Sequence, residues 1–127
     1  MTSGSNNKVS QFSNQKYINL ETYRKNGQPV QTPVWFVLDR GIIYVRTDKN
    51  SGKIKRAKKN SHVSITPCNA RGHPKGEWVG GEIRMVSTSE SERASLLLEQ
   101  KYGLLGKMIR MFNKLRNTTP IVISIQM

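Results

Sequence analysis

Six stretches of the chain have the residue pattern of β-strands, and in residues 16–23, 29–38 and 120–126 the residue types alternate with the period of two that is typical of strands. The predicted strands are residues 16–23, 29–38, 42–47, 62–68, 78–86 and 120–126. Asn26-Gly27 and Asp39-Arg40-Gly41 lie between the first three strands, and both are typical turn sequences. The first half is therefore predicted to be a meander of three antiparallel strands.

Helical patterns appear in three further segments. A short basic helix is predicted over 52–60, and Ser89 with Glu92 fits a capping box that opens a second helix ending at Gly103. A third segment has an amphipathic stripe formed by Leu104, Leu105, Met108, Phe112 and Leu115. Six short strands with two helices in the C-terminal half predict a mainly β fold. A small closed barrel is favoured, because closure removes the exposed edges of the sheet.

Length and composition predict one domain. A chain of 127 residues with 35% hydrophobic residues supports a single core, and no stretch reaches the roughly 20 apolar residues that span a bilayer. Residues 1–14 are rich in Ser, Asn and Gln and have no apolar run, so they are expected to be a flexible tail and not a secretory signal. Residues 15–127 are predicted to form the domain. The single Cys68 excludes an internal disulfide and suits a reducing cytosol, which predicts a cytoplasmic protein.

Positive charge is the most unusual property of the chain. Its 21 Lys and Arg residues against 8 Asp and Glu give a formal net charge of +13, which calls for a polyanionic partner. Lys and Arg are densest in residues 46–59, which contain seven of them and Asp48 as the single acid. Ser51-Gly52-Lys53 lies in this run, where small residues beside a Lys favour phosphate contact. The tripeptide lacks the spacing of a nucleoside triphosphate P-loop.

Residues of conventional catalysis are scarce. His62 and His73 lie in different elements without neighbours at metal-ligand spacing, so no metal site is predicted. Cys68 lies within a strand pattern and is interpreted as a buried apolar side chain. No catalytic residue is assigned. If the protein is an enzyme, a cofactor is expected to bring the reactive atom.

A family resemblance is carried by several blocks in order. Thr32-Pro33-Val34-Trp35-Phe36, Tyr44-Val45-Arg46-Thr47 and Ser51-Gly52-Lys53-Ile54-Lys55-Arg56 resemble the flavin and deazaflavin split-barrel oxidoreductases, relatives of pyridoxamine 5'-phosphate oxidase. The likeness continues through residues 63–72 and 76–81 and suits Lys101-Tyr102-Gly103. It covers about residues 16–126. The resemblance implies a split β-barrel, a homodimer with the cofactor at the subunit interface, and FMN or coenzyme F420 as that cofactor.

The resemblance also implies which residues bind the cofactor. The strand that contains Thr32, Pro33, Val34 and Trp35 would run beside the tricyclic ring. The remaining implied contacts are Arg46, Thr47, Ser51, Gly52 and Lys53 around the phosphate, Lys55 beyond it, and Trp78 near the ring, contributed across the dimer. Ordinary core packing is the alternative for Trp35 and Trp78. Extra cations favour F420, which carries more negative charge than FMN.

Three functions follow from these observations. The first is an F420- or FMN-dependent oxidoreductase that transfers hydride from the reduced cofactor to a small-molecule substrate. The second is a nucleic-acid-binding small β-barrel, which the net charge and the strand aromatics permit. The cations cluster in one loop and helix instead of alternating with the aromatics, which counts against that function. The third is a carrier that binds the flavin or F420 without turnover.

Overall fold

A computed structural model describes residues 9–103 and 119–127 of the chain. The described strands form one antiparallel sheet: β1 (Tyr17–Tyr23), β2 (Pro29–Val34), β3 (Val37–Asp39), β4 (Ile42–Asp48), β5 (His62–Cys68), β6 (Val79–Met85) and β7 (Pro120–Gln126). Two helices accompany it, α1 (Gly52–Lys59) and α2 (Thr88–Tyr102). The predicted mainly β class is confirmed.

The segment predicted as one strand over 29–38 is two strands. Trp35 and Phe36 separate β2 from β3, which raises the strand number in the described chain from the predicted six to seven. The backbone N–H and C=O of Phe36 bond to the side chain of Tyr102 instead of to a neighbouring strand. The alternation of residue types continues through this break, so the pattern alone does not reveal it.

Both antiparallel pairings of the predicted three-stranded meander are present, β1 with β2 and β3 with β4, but the break in its middle strand separates them within the sheet. Strands are ordered β2-β1-β5-β6-β7-β4-β3, so the β1–β2 hairpin and the β3–β4 hairpin lie at opposite ends of the sheet. The end strands β2 and β3 are not hydrogen-bonded neighbours, but the chain joins them through Trp35 and Phe36. The sheet is therefore a barrel with a split between β2 and β3, not one closed by hydrogen bonds all round.

The core fills the inside of this sheet. Alternate residues of β1, β4 and β7 are fully buried, and register places Val45 opposite Ile123 and Ile43 opposite Ile125. Helix α1 covers one end of the barrel by burying Ile54 and Ala57 in the same cluster. Because the helix is held by its apolar side, its cationic residues remain at the surface.

The packed domain begins before residue 15. Phe12, placed in the tail by the sequence, is only 1% exposed and meets the ring of Phe36 edge-on at 6.2 Å. Gln11 also exchanges two hydrogen bonds with the backbone of Glu77. An apolar residue in a polar segment gives no periodic signal, so only tertiary contacts show its burial.

Helix α2 packs on the outer face of the sheet. Ala94 and Leu98 contact Val37, Tyr44 and Val122 in a second buried cluster. The helix cap is Ser87, whose Oγ accepts the Glu90 N–H at 3.2 Å, and not the predicted Ser89, which already lies inside the helix. Gly103 ends the helix as predicted. The amphipathic stripe of residues 104–115 lies outside the described residues.

Among the described helices, neither is long and apolar enough to cross a membrane.

Candidate functional site

The loop between β4 and α1 is fixed by backbone hydrogen bonds. The Asp48 carbonyl accepts the Ser51 N–H at 3.0 Å, and Lys49 N–H donates to the Thr119 carbonyl at 2.8 Å. The Ser51 Oγ then accepts the Ile54 N–H at 3.4 Å and caps α1. These contacts place Ser51, Gly52 and Lys53 at the helix N-terminus, where backbone N–H groups carry partial positive charge.

Positive charge at this helix end is not neutralised from within. The first turn of α1 contains no acidic residue, and Lys53 forms no salt bridge within the described chain. Burial lowers the pKa of Lys53, the nearby Arg56 lowers it further, and only Asp48 acts in the opposite direction. Two cations beside a positive helix end form an environment that favours an anion.

Arg56 links the helix to the sheet. Its Nε donates to Thr22 Oγ1 at 2.7 Å. Its guanidinium also lies against the first helical turn, since a Cβ on Gly52 would be 2.9 Å from Nη1 of Arg56. Thr22 lies in β1, the strand next to the edge strand β2, so Arg56 ties α1 to the neighbour of the split edge. The sequence placed Arg56 in the basic run but did not reveal this link, which depends on a contact across 34 residues.

Strand β2 forms one edge of the split. Thr32 and Val34 are paired with Leu20 and Ile18, which belong to the core, whereas Pro33 is paired with Asn19 on the outer face. Among the described strands only β1 is a hydrogen-bonded neighbour of β2, so the other side of β2 has no partner from these strands. Pro33 at an edge strand confirms the prediction from its missing N–H.

Trp35 packs within the protein. Its ring lies parallel to that of Tyr102 with centroids 4.3 Å apart. The Tyr102 hydroxyl accepts the Phe36 N–H at 3.0 Å and lies 2.7 Å from the Lys16 carbonyl, to which it can donate. Burial raises the pKa of Tyr102 to about 12. One face of the Trp35 ring is therefore covered by α2.

The other predicted site residues are more dispersed. Arg46 and Thr47 are paired with Val122 and Ile121, so these neighbours point to opposite faces of the sheet. Lys55 is exposed on α1. Trp78 is 37% exposed just before β6, following Glu77. The structure brings Ser51, Gly52 and Lys53 together with Arg56, but it does not bring all the predicted contacts into one cluster.

A sequence profile of pyridoxamine 5'-phosphate oxidase matches residues 6–119. The chain belongs to the pyridoxamine 5'-phosphate oxidase family. No curated protein matches the chain.

Solved structures share the fold of this family member. HutZ, a heme storage protein from Vibrio cholerae, is 15% identical with a TM-score of 0.69, over 98% of this chain and 88% of its own. An F420 reductase is 15% identical with a TM-score of 0.59, over 92% of this chain and 90% of its own. A FAD-binding protein from Mesorhizobium loti is 17% identical with a TM-score of 0.64, over 100% of this chain and 88% of its own. At these identities the likeness establishes the fold.

Other reactive side chains of this family member lie apart from the helix end. Cys68 is free and 2% exposed, and burial raises the pKa of its thiol, in keeping with the predicted packing role. His62 and His73 are both exposed, and His62 Nδ1 lies 3.7 Å from Glu82. In the described ranges, no three His, Cys, Asp or Glu side chains are grouped to hold a metal ion.

Proposed function

We propose that this protein is a homodimeric oxidoreductase that binds FMN or F420 and passes hydride from the reduced cofactor to a small-molecule acceptor. The observation that carries this proposal is the pair of cations, Lys53 and the guanidinium of Arg56, beside the N-terminus of α1, whose first turn contains no acidic residue. Family membership supports the reaction class, and the charge supports a cofactor with a phosphate.

The residues at the helix end fit a phosphate group. Lys53 supplies a positive charge whose partial burial strengthens its attraction to an anion. The backbone N–H groups of the first turn and the hydroxyl of Ser51 supply hydrogen-bond donors. Thr47 shares the inner face with Val45 at the end of β4 and provides a second hydroxyl. Gly52 keeps the first turn free of a side chain.

The edge of β2 fits the ring of the cofactor. Thr32, Pro33 and Val34 lie on a strand whose second edge is open, so backbone groups there can bond to a flat ligand. A bound reduced flavin or deazaflavin supplies the hydride. The chain binds and orients the ring, while solvent supplies any proton that the acceptor needs. Trp78 is exposed and lies next to a loop, as a residue that contacts the cofactor of the second subunit must be.

Two structural neighbours bear on which cofactor the protein binds. One is described as an F420 reductase and another as a FAD-binding protein, so both cofactor classes occur on this fold. Lys55 lies two residues beyond Lys53 and remains exposed. A cofactor with negative charge beyond its phosphate would gain from Lys55, which favours F420 over FMN.

A titration tests the proposal. The purified full chain is titrated with FMN and with F420 while cofactor fluorescence is recorded, and quenching with a saturable Kd is expected for at least one. The reduced complex is then mixed with candidate acceptors, and reoxidation is followed by absorbance. Failure to bind either cofactor would contradict the proposal. Binding without reoxidation by any acceptor would instead indicate a carrier.

A further inference from the structure

A basic concavity lies between the β1–β2 turn and the outer side of α1. Its volume is about 420 Å³. It is lined by Tyr23, Arg24, Lys25, Gly27, Lys55, Arg56, Lys59 and Asn60, and this set is called the basic concavity below. Five of these eight residues are cationic, and none is acidic.

The fold creates this concentration of charge. Arg24 and Lys25 come from the turn after β1, whereas Lys55, Arg56 and Lys59 come from a helix about thirty residues later in the sequence. The bond from Arg56 to Thr22 holds the two segments together. The basic run of residues 46–59 lies apart from Tyr23 in the sequence, but the structure places Tyr23 among the cations.

Within the described chain, no salt bridge involves a cation of the basic concavity. The salt bridges of the described chain join His62 to Glu82 and Arg93 to Asp39, and neither pair belongs to it. Glu21, the acid nearest in sequence to Arg24, is bonded to the Tyr23 hydroxyl at 2.9 Å and to Gln31 at 3.0 Å.

The dipole of α1 explains only part of the arrangement. Arg56 and Lys59 lie in its last turn, where cations stabilise a helix. Arg24 and Lys25 belong to another element, so helix stability does not require them at this position. Gathering them beside the helix costs repulsion that an external anion relieves.

An aromatic pair adjoins the cations. The ring of Tyr23 lies nearly parallel to that of His62, at 13° with centroids 6.2 Å apart. The His62 side chain is 56% exposed. The partly exposed Tyr23 ring and the exposed His62 ring lie beside the cations, and accessible aromatic rings next to a cationic groove are the combination that binds single-stranded nucleic acid, because bases stack on the rings while phosphates contact the cations. A carboxylate polymer would bind the cations but has no bases to stack on the rings.

We propose that the basic concavity binds single-stranded nucleic acid through its phosphate backbone. This activity is separate from the proposed redox function and does not rest on it. The proposed cofactor contacts use Lys55 and Arg56 but leave Arg24, Lys25 and Lys59 without an anionic partner, whereas successive phosphates of a strand would occupy all five cations together.

The salt dependence of binding measures the number of phosphate contacts. A dye-labelled 20-nucleotide oligothymidylate is titrated with the full chain at several KCl concentrations, and anisotropy is recorded. Five phosphate contacts predict a slope of log K against log salt of about −3.5, or about a hundredfold loss of affinity between 50 and 200 mM salt. The double variant Lys25→Gln/Lys59→Gln should reduce the slope to about −2.

A matched control separates local contacts from net charge. Lys16→Gln/Arg84→Gln removes two exposed cations outside the basic concavity and should leave the slope near −3.5. The variant Lys25→Arg/Lys59→Arg should restore binding, which excludes a folding defect as the cause of the loss.

Three results would overturn the proposal. They are no binding at 50 mM salt, equal weakening by the control pair, and equal displacement of the oligonucleotide by an oligoglutamate peptide, which would identify a polycarboxylate site. Lys25 and Lys59 are not among the predicted cofactor contacts. FMN and F420 affinities of the double variant therefore report on the redox function independently.

Discussion

The two helices differ in how their N-termini are satisfied. In α2 the first turn carries Glu90, whose carboxylate accepts the Tyr44 hydroxyl at 2.6 Å, and the cap is supplied by Ser87. In α1 the cap is Ser51, but the first turn has no acid and is followed by cations. The positive end of α2 is thus balanced within the protein, whereas that of α1 remains open to an anion. This difference points to a structural role for α2 and a binding role for α1.

The C-termini of the two helices differ in the same sense. The last turn of α1 places Lys58 and Lys59 at the surface. At the end of α2, Lys101 Nζ donates to the Phe36 carbonyl at 2.9 Å and lies 3.7 Å from the centre of the Phe36 ring. With Tyr102, it holds the two-residue link between β2 and β3. The end of α2 therefore stabilises the split beside which the proposed ring site lies.

The largest expected effect concerns the anchoring of α1. Ile54 is fully buried in the main core, so Ile54→Ala should lower the free energy of unfolding by about 2–5 kcal/mol. Urea denaturation followed by circular dichroism measures the loss. Leu96→Ala on α2 is the control, because Leu96 is 60% exposed and should change stability by less than about 0.5 kcal/mol. Equal losses would show that α1 is not held by its apolar face.

The next effect concerns binding. Lys53→Ala should weaken the affinity for FMN or F420 by about 1–3 kcal/mol, since a charge-assisted contact to phosphate is removed. Fluorescence titration gives the two dissociation constants. Lys58→Ala removes the same charge from an exposed position of α1 and should leave the affinity nearly unchanged. An unaltered Kd for Lys53→Ala would remove Lys53 from the phosphate site.

Local features of the fold were predictable, and distant contacts were not. The helix over 52–60 and the end of α2 at Gly103 follow from spacing and from a glycine, and both are confirmed within a residue. The break at Trp35 is imposed by Tyr102, which bonds to Phe36 across 66 residues. No periodicity encodes such a contact, so the pattern predicts one long strand over 29–38 and misses the break.

In the candidate site, too, features formed by neighbouring residues were predictable, whereas contacts between distant elements were not. Ser51-Gly52-Lys53 could be predicted because its residues are adjacent and its chemistry is local. The contact of Arg56 with Thr22, and the placement of Arg24 and Lys59 around one concavity, depend on how the β1–β2 turn packs beside α1. The opposite directions of Arg46 and Thr47 follow from the strand geometry, once both are assigned to β4.

The link at the split is tested by Tyr102→Phe. This change keeps the ring that stacks on Trp35 but removes the acceptor of the Phe36 N–H. Leaving that group without a partner should lower the free energy of unfolding by about 1–3 kcal/mol. Tyr23→Phe is a matched control at a partly exposed position, where solvent replaces the hydroxyl and a smaller loss is expected. If both variants lose the same stability, the hydroxyl of Tyr102 does not secure the split.

Lys101 and Tyr102 at the end of α2, together with Tyr44 of β4, should make the stability of the protein depend on pH. Burial lowers the pKa of Lys101 to about 8, so the folded state binds fewer protons than the unfolded state above pH 8, and stability should rise from pH 8 to 10. Burial raises the pKa values of Tyr44 and Tyr102 to about 12, so the unfolded state loses those protons first, and stability should fall above pH 10. Urea denaturation across this range should show a smaller rise for Lys101→Met. An identical rise would assign it to other groups.

The smallest expected effects concern the N-cap residues of the two helices. Ser51 and Ser87 each accept a backbone N–H three residues ahead, so Ser51→Ala and Ser87→Ala should each cost about 1 kcal/mol of stability. Cofactor affinity should separate them, because only Ser51 lies at the acid-free helix end, where its hydroxyl can also bond to phosphate. We expect a severalfold higher Kd for Ser51→Ala and an unchanged Kd for Ser87→Ala in the same titration. Equal affinities would mean that Ser51 serves only the helix, and they would leave Lys53 and the backbone N–H groups as the phosphate contacts of α1.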